Sequence, residues 1–244
     1  MRNIGTTVLT IFAFCILNGP LLSKAQNSTT GNSSEPLMYY KLREGDIGNY
    51  TIKLWPRHQV AYEINQTDFS NRGIKIIKSK IDEWNDSVKN FKFVPRTMEN
   101  DYLYIFSGHG CYSYIGRVGG EQYLSLESKI CLRSGTILHG MGLTAGLINQ
   151  QERPDRDQYI KVNFENIPDE WQSQFEKIAD KVYFHTHPYD YGSITHYPMT
   201  STVYTDAFEV RQSLVEDNKI GKAKHLSQLD IDKLNSMYNK TVMD

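Results

Sequence analysis

Hydrophobic residues recur along the middle of the chain with two different periods, which predicts a domain containing both strands and helices. Val60, Tyr62 and Ile64 alternate with polar residues, as one face of a half-buried strand does. Apolar residues recur at helical spacing between residues 74 and 88, which predicts a helix. The apolar run over residues 102–106 predicts a further strand.

The segments that follow predict a hairpin and a C-terminal helix. The glycine-rich stretch over residues 107–126 is expected to form a hairpin at the edge of a sheet. Ser227 with Asp230 three residues later resembles a capping box, which marks the start of a helix. The inward-facing positions of that helix are Ile231, Leu234 and Tyr238.

The N-terminus has the features of a secretory signal peptide. Arg2 precedes an apolar run over residues 8–17, and the small-x-small sequence at residues 23–25 fits cleavage after Ala25. An uncleaved membrane anchor is the competing interpretation, although the run is shorter than the roughly 20 residues that span a bilayer. We therefore expect a secreted, extracellular protein without a membrane span. Its acceptor sequons for N-glycosylation are Asn27, Asn32, Asn49, Asn65, Asn85 and Asn239.

The net charge bears on whether the protein binds nucleic acid, and the cysteine content bears on whether it contains a disulfide bond. The net charge is −1 and no basic stripe is present, so a nucleic-acid partner is not expected. Cys15 lies in the leader, which leaves Cys111 and Cys131 for the mature chain. In an oxidising compartment we expect them to form a disulfide bond. Closing this loop should stabilise the fold by about 3 kcal/mol in the chain-entropy model. Two free thiols are the alternative.

One segment has the spacing of a zinc-protease motif but lacks most of the residues that bind the metal or act in catalysis. The pattern H-E-x-x-H-x-x-G-x-x-H places two imidazoles on one helix face, and its glycine turns the chain to bring in a third. Read from His139, the base position is Gly140, the second histidine position is Leu143, the turn glycine is Gly146 and the third histidine position is Asn149. His139 and Gly146 alone would not identify a family.

Five blocks in the same order along the chain carry the identification. The block YDYGSITHY is specific, because it follows the family pattern YDYxSxMHY with Thr195 at the methionine position and Tyr197 at the final tyrosine. Together the blocks resemble the astacin family of zinc metalloendopeptidases from about residue 55 to about residue 239. The blocks are FVPRT at 93–97, GCYSYIGRVGG at 110–120, QERPDRD at 151–157, YDYGSITHY at 189–197 and IGKAKHLSQLDIDKLNSMY at 220–238.

The resemblance implies an α+β fold of the zincin type, with two lobes, a twisted sheet and an active-site helix. We predict a signal peptide over residues 1–25, a short pro-segment-like arm over 26–54 and an astacin-like peptidase domain over 55–244. In astacins the edge strand pairs with the extended substrate, so the resemblance also predicts a groove that accepts a peptide. Gly140 and Gly142 each disfavour a helix by about 1 kcal/mol, which predicts a softened active-site helix.

The arm contains REGDI at residues 43–47, which resembles the astacin pro-segment motif F-x-G-D. Asp46 would be the residue that caps the zinc, Arg43 departs from the motif, and a plain turn is the alternative. In astacins the matured N-terminus pairs with a glutamate at the position of Gln150, so proteolytic maturation is expected to be lost. The second astacin disulfide is also lost, since its positions hold Asn90 and Val242.

These departures predict a pseudoprotease that binds no zinc and that binds an extracellular peptide or protein. His139 is the one remaining histidine of the metal motif, Tyr197 is a further candidate ligand, and no catalytic residue is expected because Gly140 cannot act as a base. Leu143 and Asn149 are the lost ligand positions.

Two alternatives stay open at this point. The first is an active zinc metalloendopeptidase that hydrolyses extracellular proteins with a rearranged site, for which His185, His187 and His196 are the candidate replacement ligands. The second is a gene product that folds poorly without the second disulfide.

Overall fold

The computed structural model describes residues 38–41, 52–178, 187–211 and 219–239, and every structural statement below concerns these residues. Several predicted features lie outside the described residues and stay predictions. They are the signal peptide, Asp46 with its motif, the sequons at Asn27, Asn32 and Asn49, His185 and Val242.

A six-stranded sheet forms the larger part of the fold. Its order is β1-β5-β6-β4-β2-β3, and only the pairing of β5 with β6 is antiparallel. The predicted strands and the predicted hairpin are confirmed. The strands are β1 (Met38–Lys41), β2 (Gln59–Ile64), β3 (Lys92–Pro95), β4 (Tyr102–Phe106), β5 (Cys111–Tyr114) and β6 (Glu121–Leu126).

Two helices share one hydrophobic core with the buried face of this sheet. Helix α1 (Asn71–Ser87) begins where the Ser70 hydroxyl accepts a hydrogen bond from the Gly73 amide, and its buried stripe includes Trp84. Helix α2 (Ser134–Thr144) follows β6 and is buried along most of its length. It runs continuously through the glycines that were predicted to soften it.

A second hydrophobic cluster lies in the C-terminal half, where regular structure is sparse. It is organised around the two-stranded sheet of β7 (Ile160–Val162) and β8 (Phe208–Val210), next to the short helix α3 (Asp169–Gln172). The last helix, α4 (Gln228–Met237), has the predicted capping box between Ser227 and Asp230. The α+β architecture implied by the resemblance is confirmed.

A disulfide bond and a pair of hydrogen bonds connect parts of the fold that are distant in the sequence. Cys111 at the start of β5 is bonded to Cys131, as predicted. At the position of the lost disulfide, the Asn90 amide and side chain make hydrogen bonds of 3.0 and 2.8 Å to Asn235 of α4. Among the described residues, no helix is long and apolar enough to cross a bilayer.

The prediction that the hairpin lies at the edge of the sheet is wrong. Strand β1 pairs with β5 in parallel over four residues, from Met38 opposite Cys111 to Lys41 opposite Tyr114. The backbone edge that was expected to accept a peptide is therefore already paired with a segment from the N-terminal arm. Sequence analysis did not predict β1, since four residues are too few to show a strand period.

Candidate functional site

Helix α2 and the turn that follows it, which correspond to the zinc-binding motif, bring His139 and Asn149 into contact. Gly146 adopts φ +99°, a backbone conformation that suits glycine, and turns the chain back after α2. As a result the Nε2 atom of His139 lies 2.9 Å from Oδ1 of Asn149. The side chain of Asn149 is thus the hydrogen-bond partner of this ring nitrogen. Burial lowers the pKa of His139 to about 4, which keeps the ring neutral near pH 7.

The other two motif positions contribute no polar group. Leu143 lies one helical turn after His139 and is completely buried in the hydrophobic core that the six-stranded sheet shares with α1 and α2. Gly140 faces Met38 and Leu124, and a Cβ atom there would lie 2.9 Å from Met38 Cε and 2.6 Å from Leu124 Cδ1. A side chain at position 140 would therefore require the ends of the Met38 and Leu124 side chains to move.

Hydrogen bonds between uncharged groups help to hold the turn beneath the motif. The Thr195 hydroxyl, at the methionine position of the family, donates to the carbonyl of Ile148 at 2.8 Å. Gln150 is buried, and its Oε1 atom accepts a hydrogen bond of 3.3 Å from the Asp190 amide. Gln150 stands where astacins have a glutamate, and its side chain is therefore hydrogen-bonded without an ammonium group as partner.

Tyr197 lies beside His139, with 5.9 Å between the ring centroids, but its hydroxyl is engaged elsewhere. It donates to the carbonyl of Met38 at 2.6 Å and lies 3.2 Å from Oε1 of Gln174. Burial raises the pKa of Tyr197 well above its usual range, which disfavours a phenolate. The tyrosine thus holds β1 in place.

Two of the histidines proposed as replacement ligands, His187 and His196, lie within the described residues, and they form no metal-binding group there. His196 is buried, with Nδ1 at 2.7 Å from the Tyr197 carbonyl and Nε2 at 2.8 Å from the Tyr189 hydroxyl, so both ring nitrogens have partners. Burial lowers the pKa of His196 to about 4 and that of His187 below its usual value. Within the described residues, no group of three or more His, Cys, Asp or Glu side chains could hold a metal ion.

A buried carboxyl group that sequence analysis did not single out lies next to the motif. Glu152 is completely buried, and its Oε1 atom accepts a 2.7 Å hydrogen bond from the Tyr40 hydroxyl of β1. Glu152 Oε2 and Asn149 Nδ2 are buried without a hydrogen-bond partner. Burial raises the pKa of Glu152 well above its usual range, which favours the neutral acid.

The residues present do not fit a catalytic zinc ion. Such a site uses three protein ligands and one open position. Here the motif offers one imidazole that is hydrogen-bonded to Asn149, an apolar Leu143 and a tyrosine bound to β1. Glu152 could add one carboxylate, which with His139 would still give two ligands.

A charge-paired turn fixes the segment after the motif. The Arg153 guanidinium makes two hydrogen bonds of 2.8 Å to the carboxylate of Asp155. The same guanidinium donates to the carbonyls of His187 and Pro188, at 3.1 Å each. This bidentate pairing holds the turn that leads to Tyr189 and supports a structural role for the QERPDRD block.

A small pocket is what stays open beside His139. Its volume is about 140 Å³, and its walls include Met38, Tyr197 and the first turn of α2. Pockets for drug-sized ligands are typically about 300–1,000 Å³. This pocket therefore has room for a single side chain and not for an extended peptide.

The described sequons differ in what their side chains do. Asn65 lies in a turn where its Oδ1 atom accepts hydrogen bonds from the amide and the hydroxyl of Thr67. Asn85 instead uses both amide atoms to bind the backbone of Phe93, at 2.8 and 2.9 Å. A glycan on Asn85 would be attached to its Nδ2 atom, which donates to the Phe93 carbonyl at 2.8 Å. Asn239 is exposed at the end of the described chain.

Comparison with known proteins assigns most of the described chain to one family model. Residues 48–239 match the model for astacin, which describes a family of peptidases. The zinc metalloproteinases nas-7 and nas-6 of Caenorhabditis elegans are each 35% identical to the chain, over 189 and 207 residues. These alignments cover 77% and 82% of this chain but only 48% and 59% of the relatives. The chain thus spans about half the length of these relatives.

Solved structures show the same similarity. High choriolytic enzyme 1, a hatching enzyme zinc-protease from the medaka Oryzias latipes, is 33% identical with a TM-score of 0.68. That alignment covers 77% of this chain and 94% of the medaka protein. A structure of myroilysin, at 18% identity and a TM-score of 0.51, shares the fold.

Proposed function

The chain belongs to the astacin family of peptidases, and we propose that it is a secreted member of that family which does not hydrolyse peptides. The observation that carries this proposal is the hydrogen bond between His139 Nε2 and Asn149 Oδ1. The imidazole of His139 is therefore hydrogen-bonded to the third ligand position, which holds an amide in place of an imidazole.

The chemistry of hydrolysis supports the same conclusion. A metallopeptidase needs a metal ion to polarise the scissile carbonyl and acidify water, and a base to take and deliver the proton. Gly140 has no side chain to act as the base, and the ends of the Met38 and Leu124 side chains lie where one would project. A metal recruited by other residues would therefore still lack a base at the position that the family uses.

Binding of an extracellular peptide or protein is the role that we propose in place of catalysis. The predicted signal peptide and sequons support exposure to the extracellular space. The pairing of β1 with β5 and the small pocket beside His139 argue against an extended peptide in the former cleft. A partner would then contact surfaces other than the cleft.

Zinc content and peptide cleavage by the purified, secreted protein test the proposal. We expect substoichiometric zinc after incubation with the metal and no cleavage across a broad peptide library. A variant with Leu143→His and Asn149→His supplies the matched control for metal loading, because the helix and turn would then present three imidazoles. The medaka hatching enzyme serves as the active reference for cleavage.

The second candidate is an active zinc metalloendopeptidase with a rearranged site. The names of the related metalloproteinases favour it. One zinc ion per wild-type chain, with cleavage that a chelator abolishes, would establish this candidate and contradict our proposal. His187 and His196, with His185, would be the first residues to substitute in that case.

A further inference from the structure

A group of aromatic side chains lies on the side of the six-stranded sheet that faces away from α1 and α2, and a sequon adjoins it. We call the rings of Tyr104, Phe106, Tyr112 and Tyr123 the aromatic face. We propose that the aromatic face is a carbohydrate-binding surface and that its ligand is the glycan attached to Asn65. The proposal rests on the secretion proposed above, which exposes the chain to glycosylation, and it does not depend on the loss of catalysis.

The aromatic face results from the alternation of side chains along β4. Leu103 and Ile105 are buried in the core that the sheet shares with α1 and α2, whereas Tyr104 and Phe106 are half-buried on the other side. Register partners share a side of the sheet, so Tyr123 of β6 lies beside Tyr104 and is 37% exposed. The distances between ring centroids are 6.1 Å for Tyr104 and Phe106, 5.5 Å for Phe106 and Tyr123, and 6.2 Å for Phe106 and Tyr112.

The sequon lies at the margin of the aromatic face. Asn65 directly follows β2, and its amide donates to the Ile105 carbonyl at 2.9 Å, which extends the pairing of β2 with β4 by one residue. Asn65 therefore lies beside Phe106. Because side chains alternate along a strand, it is also on the same side of the sheet as Glu63, the register partner of Tyr104.

The side chain of Asn65 can carry a glycan without losing its own contacts. Its Oδ1 atom accepts hydrogen bonds from the amide and the hydroxyl of Thr67, at 3.1 and 2.8 Å. Its Nδ2 atom, to which an N-linked glycan is attached, makes no hydrogen bond to any described residue. Gln66 and Thr67 are exposed, so the turn leaves room for the first sugar.

The spacing of the strands matches the length of a short glycan. Strand β4 is the neighbour of β2 in the sheet, and β6 is the next strand. Neighbouring strands lie about 4.8 Å apart, which is close to the length of one pyranose unit in a glycan chain. The first sugar on Asn65 would therefore lie over Phe106 and the second over Tyr123.

The chemistry of the aromatic face suits a sugar better than a protein. The C–H groups of a pyranose ring carry partial positive charge and are attracted to the negative face of an aromatic ring. Glu121 accepts hydrogen bonds from the hydroxyls of Tyr102 and Tyr123, and partial desolvation with the Asp68 carboxylate raises the pKa of Tyr104, which keeps its hydroxyl protonated. These polar groups can bind sugar hydroxyls, whereas the core of a protein interface is depleted in charged residues.

Nuclear magnetic resonance of the secreted, glycosylated protein tests the proposal directly. Protons that lie over the face of an aromatic ring are shifted upfield by its ring current. We expect the C–H signals of the first sugar on Asn65 to lie upfield of the same signals after unfolding in urea, and Asn65→Gln identifies them by their loss. Signals that do not differ between the folded and the unfolded protein would overturn the proposal, and so would the absence of a glycan at Asn65.

Enzymatic release of the N-linked glycans measures what the contact contributes. Release should lower Tm by roughly 2–4 °C, the shift that one aromatic contact of ordinary strength gives in a domain of this size. Asn65→Gln should show no such loss on the same treatment. Release converts each glycosylated asparagine to aspartate, but this change is common to all variants that keep Asn65 and cancels when they are compared.

A matched pair of substitutions on the same side of the sheet identifies the rings involved. Phe106→Leu keeps an apolar side chain but removes the ring, and it should abolish most of the loss of Tm on release. Tyr114→Leu is the control, because Tyr114 alternates with the buried Ser113 on β5, which is three strands away from β2 in the sheet. We expect this control to retain the full loss. Equal losses in the two variants would contradict the proposal.

Free chitobiose, the disaccharide at the root of an N-linked glycan, distinguishes the attached glycan from an external ligand. We expect weak binding to the protein after glycan release, because attachment at Asn65 supplies a high effective concentration that a free sugar lacks. Upfield shifts of added chitobiose, together with unshifted signals of the attached glycan, would assign the aromatic face to an external polysaccharide and overturn the proposal. Peptide cleavage by the wild-type protein is a separate readout, which would contradict the proposed function and leave this proposal standing.

Discussion

Removal of the Tyr40 hydroxyl measures how firmly strand β1 is bound. In Tyr40→Phe the buried Glu152 Oε1 atom loses the 2.7 Å hydrogen bond while the ring stays in place. The other carboxyl oxygen already has no partner. Leaving a buried acceptor unsatisfied typically costs about 1–3 kcal/mol. We therefore expect Tyr40→Phe to lower the free energy of unfolding by about that amount.

Thermal and urea denaturation of the secreted protein are the assays. For domains of this size, each kcal/mol shifts Tm by about 2–4 °C, so the expected decrease is roughly 2–12 °C. Tyr39→Phe is the matched control, because its ring contacts survive and the substituted hydroxyl lies on the other face of β1. Glu152→Gln keeps an oxygen that can accept from Tyr40 and should cost less than Tyr40→Phe.

Equal Tm values for Tyr40→Phe and Tyr39→Phe would contradict this prediction. Equal destabilisation by Tyr40→Phe in a Glu152→Ala background and in the wild type would also contradict it, since a double-mutant cycle should show coupling between partners. Either result would mean that the Tyr40 hydroxyl contributes no net stability through Glu152.

Three further predictions concern groups outside the strand. Burial, with a neighbouring arginine, lowers the pKa of Lys233 to about 8, below its value in the unfolded chain. The free energy of unfolding should therefore rise between pH 8 and pH 10. In urea titrations, Lys233→Met should abolish this rise and increase the free energy of unfolding at pH 7 by on the order of 3 kcal/mol. Replacing Cys111 and Cys131 by serine should cost about 3 kcal/mol, measured against the oxidised protein in the same titration. Mass spectrometry of the secreted protein should find a glycan at Asn65 and none at Asn85, and a glycan at Asn85 with unchanged Tm would contradict the role of its side chain.

Much of the fold was predictable because it follows from local patterns. A strand contains Val60, Tyr62 and Ile64 as predicted, although Ala61 between them is buried as well, and the capping box at Ser227 is present. The cysteine pairing was predictable because the mature chain was expected to contain two cysteines. These features depend on neighbouring residues or on simple counting, which a sequence supplies directly.

The site was less predictable because its key contacts join distant parts of the chain. Tyr40 and Glu152 are 112 positions apart, and Tyr197 and Met38 are 159 apart. The resemblance placed His139 and Asn149 at ligand positions, but only the structure showed that they bind each other. The one available signal for β1 was the apolar Met-Tyr-Tyr sequence within a polar arm.

Two departures from the family in this cleft remove a charged group. Glycine occupies the position of the base, Gly140, and glutamine that of the glutamate after the third ligand, Gln150. Without a metal or an ammonium group, a carboxylate at either of these buried positions would lack compensation, at a cost of several kcal/mol. Gln150 illustrates this, because its amide oxygen is satisfied by the Asp190 backbone.

Gln150→Glu tests whether neutrality itself stabilises the cleft. A carboxyl group at this 2% exposed position should have a raised pKa, because burial disfavours its ionised form. Stability relative to the wild type should then be nearly retained at pH 4 and lost as the pH rises through the folded-state pKa, by about 3–5 kcal/mol once the group ionises. Gln158→Glu, at an exposed position on the same segment, should leave the urea midpoint unchanged at both pH values. Equal stability of Gln150→Glu and wild type at pH 8 would mean that the cleft supplies a compensating cation, and a metal or ammonium partner would then have to be sought.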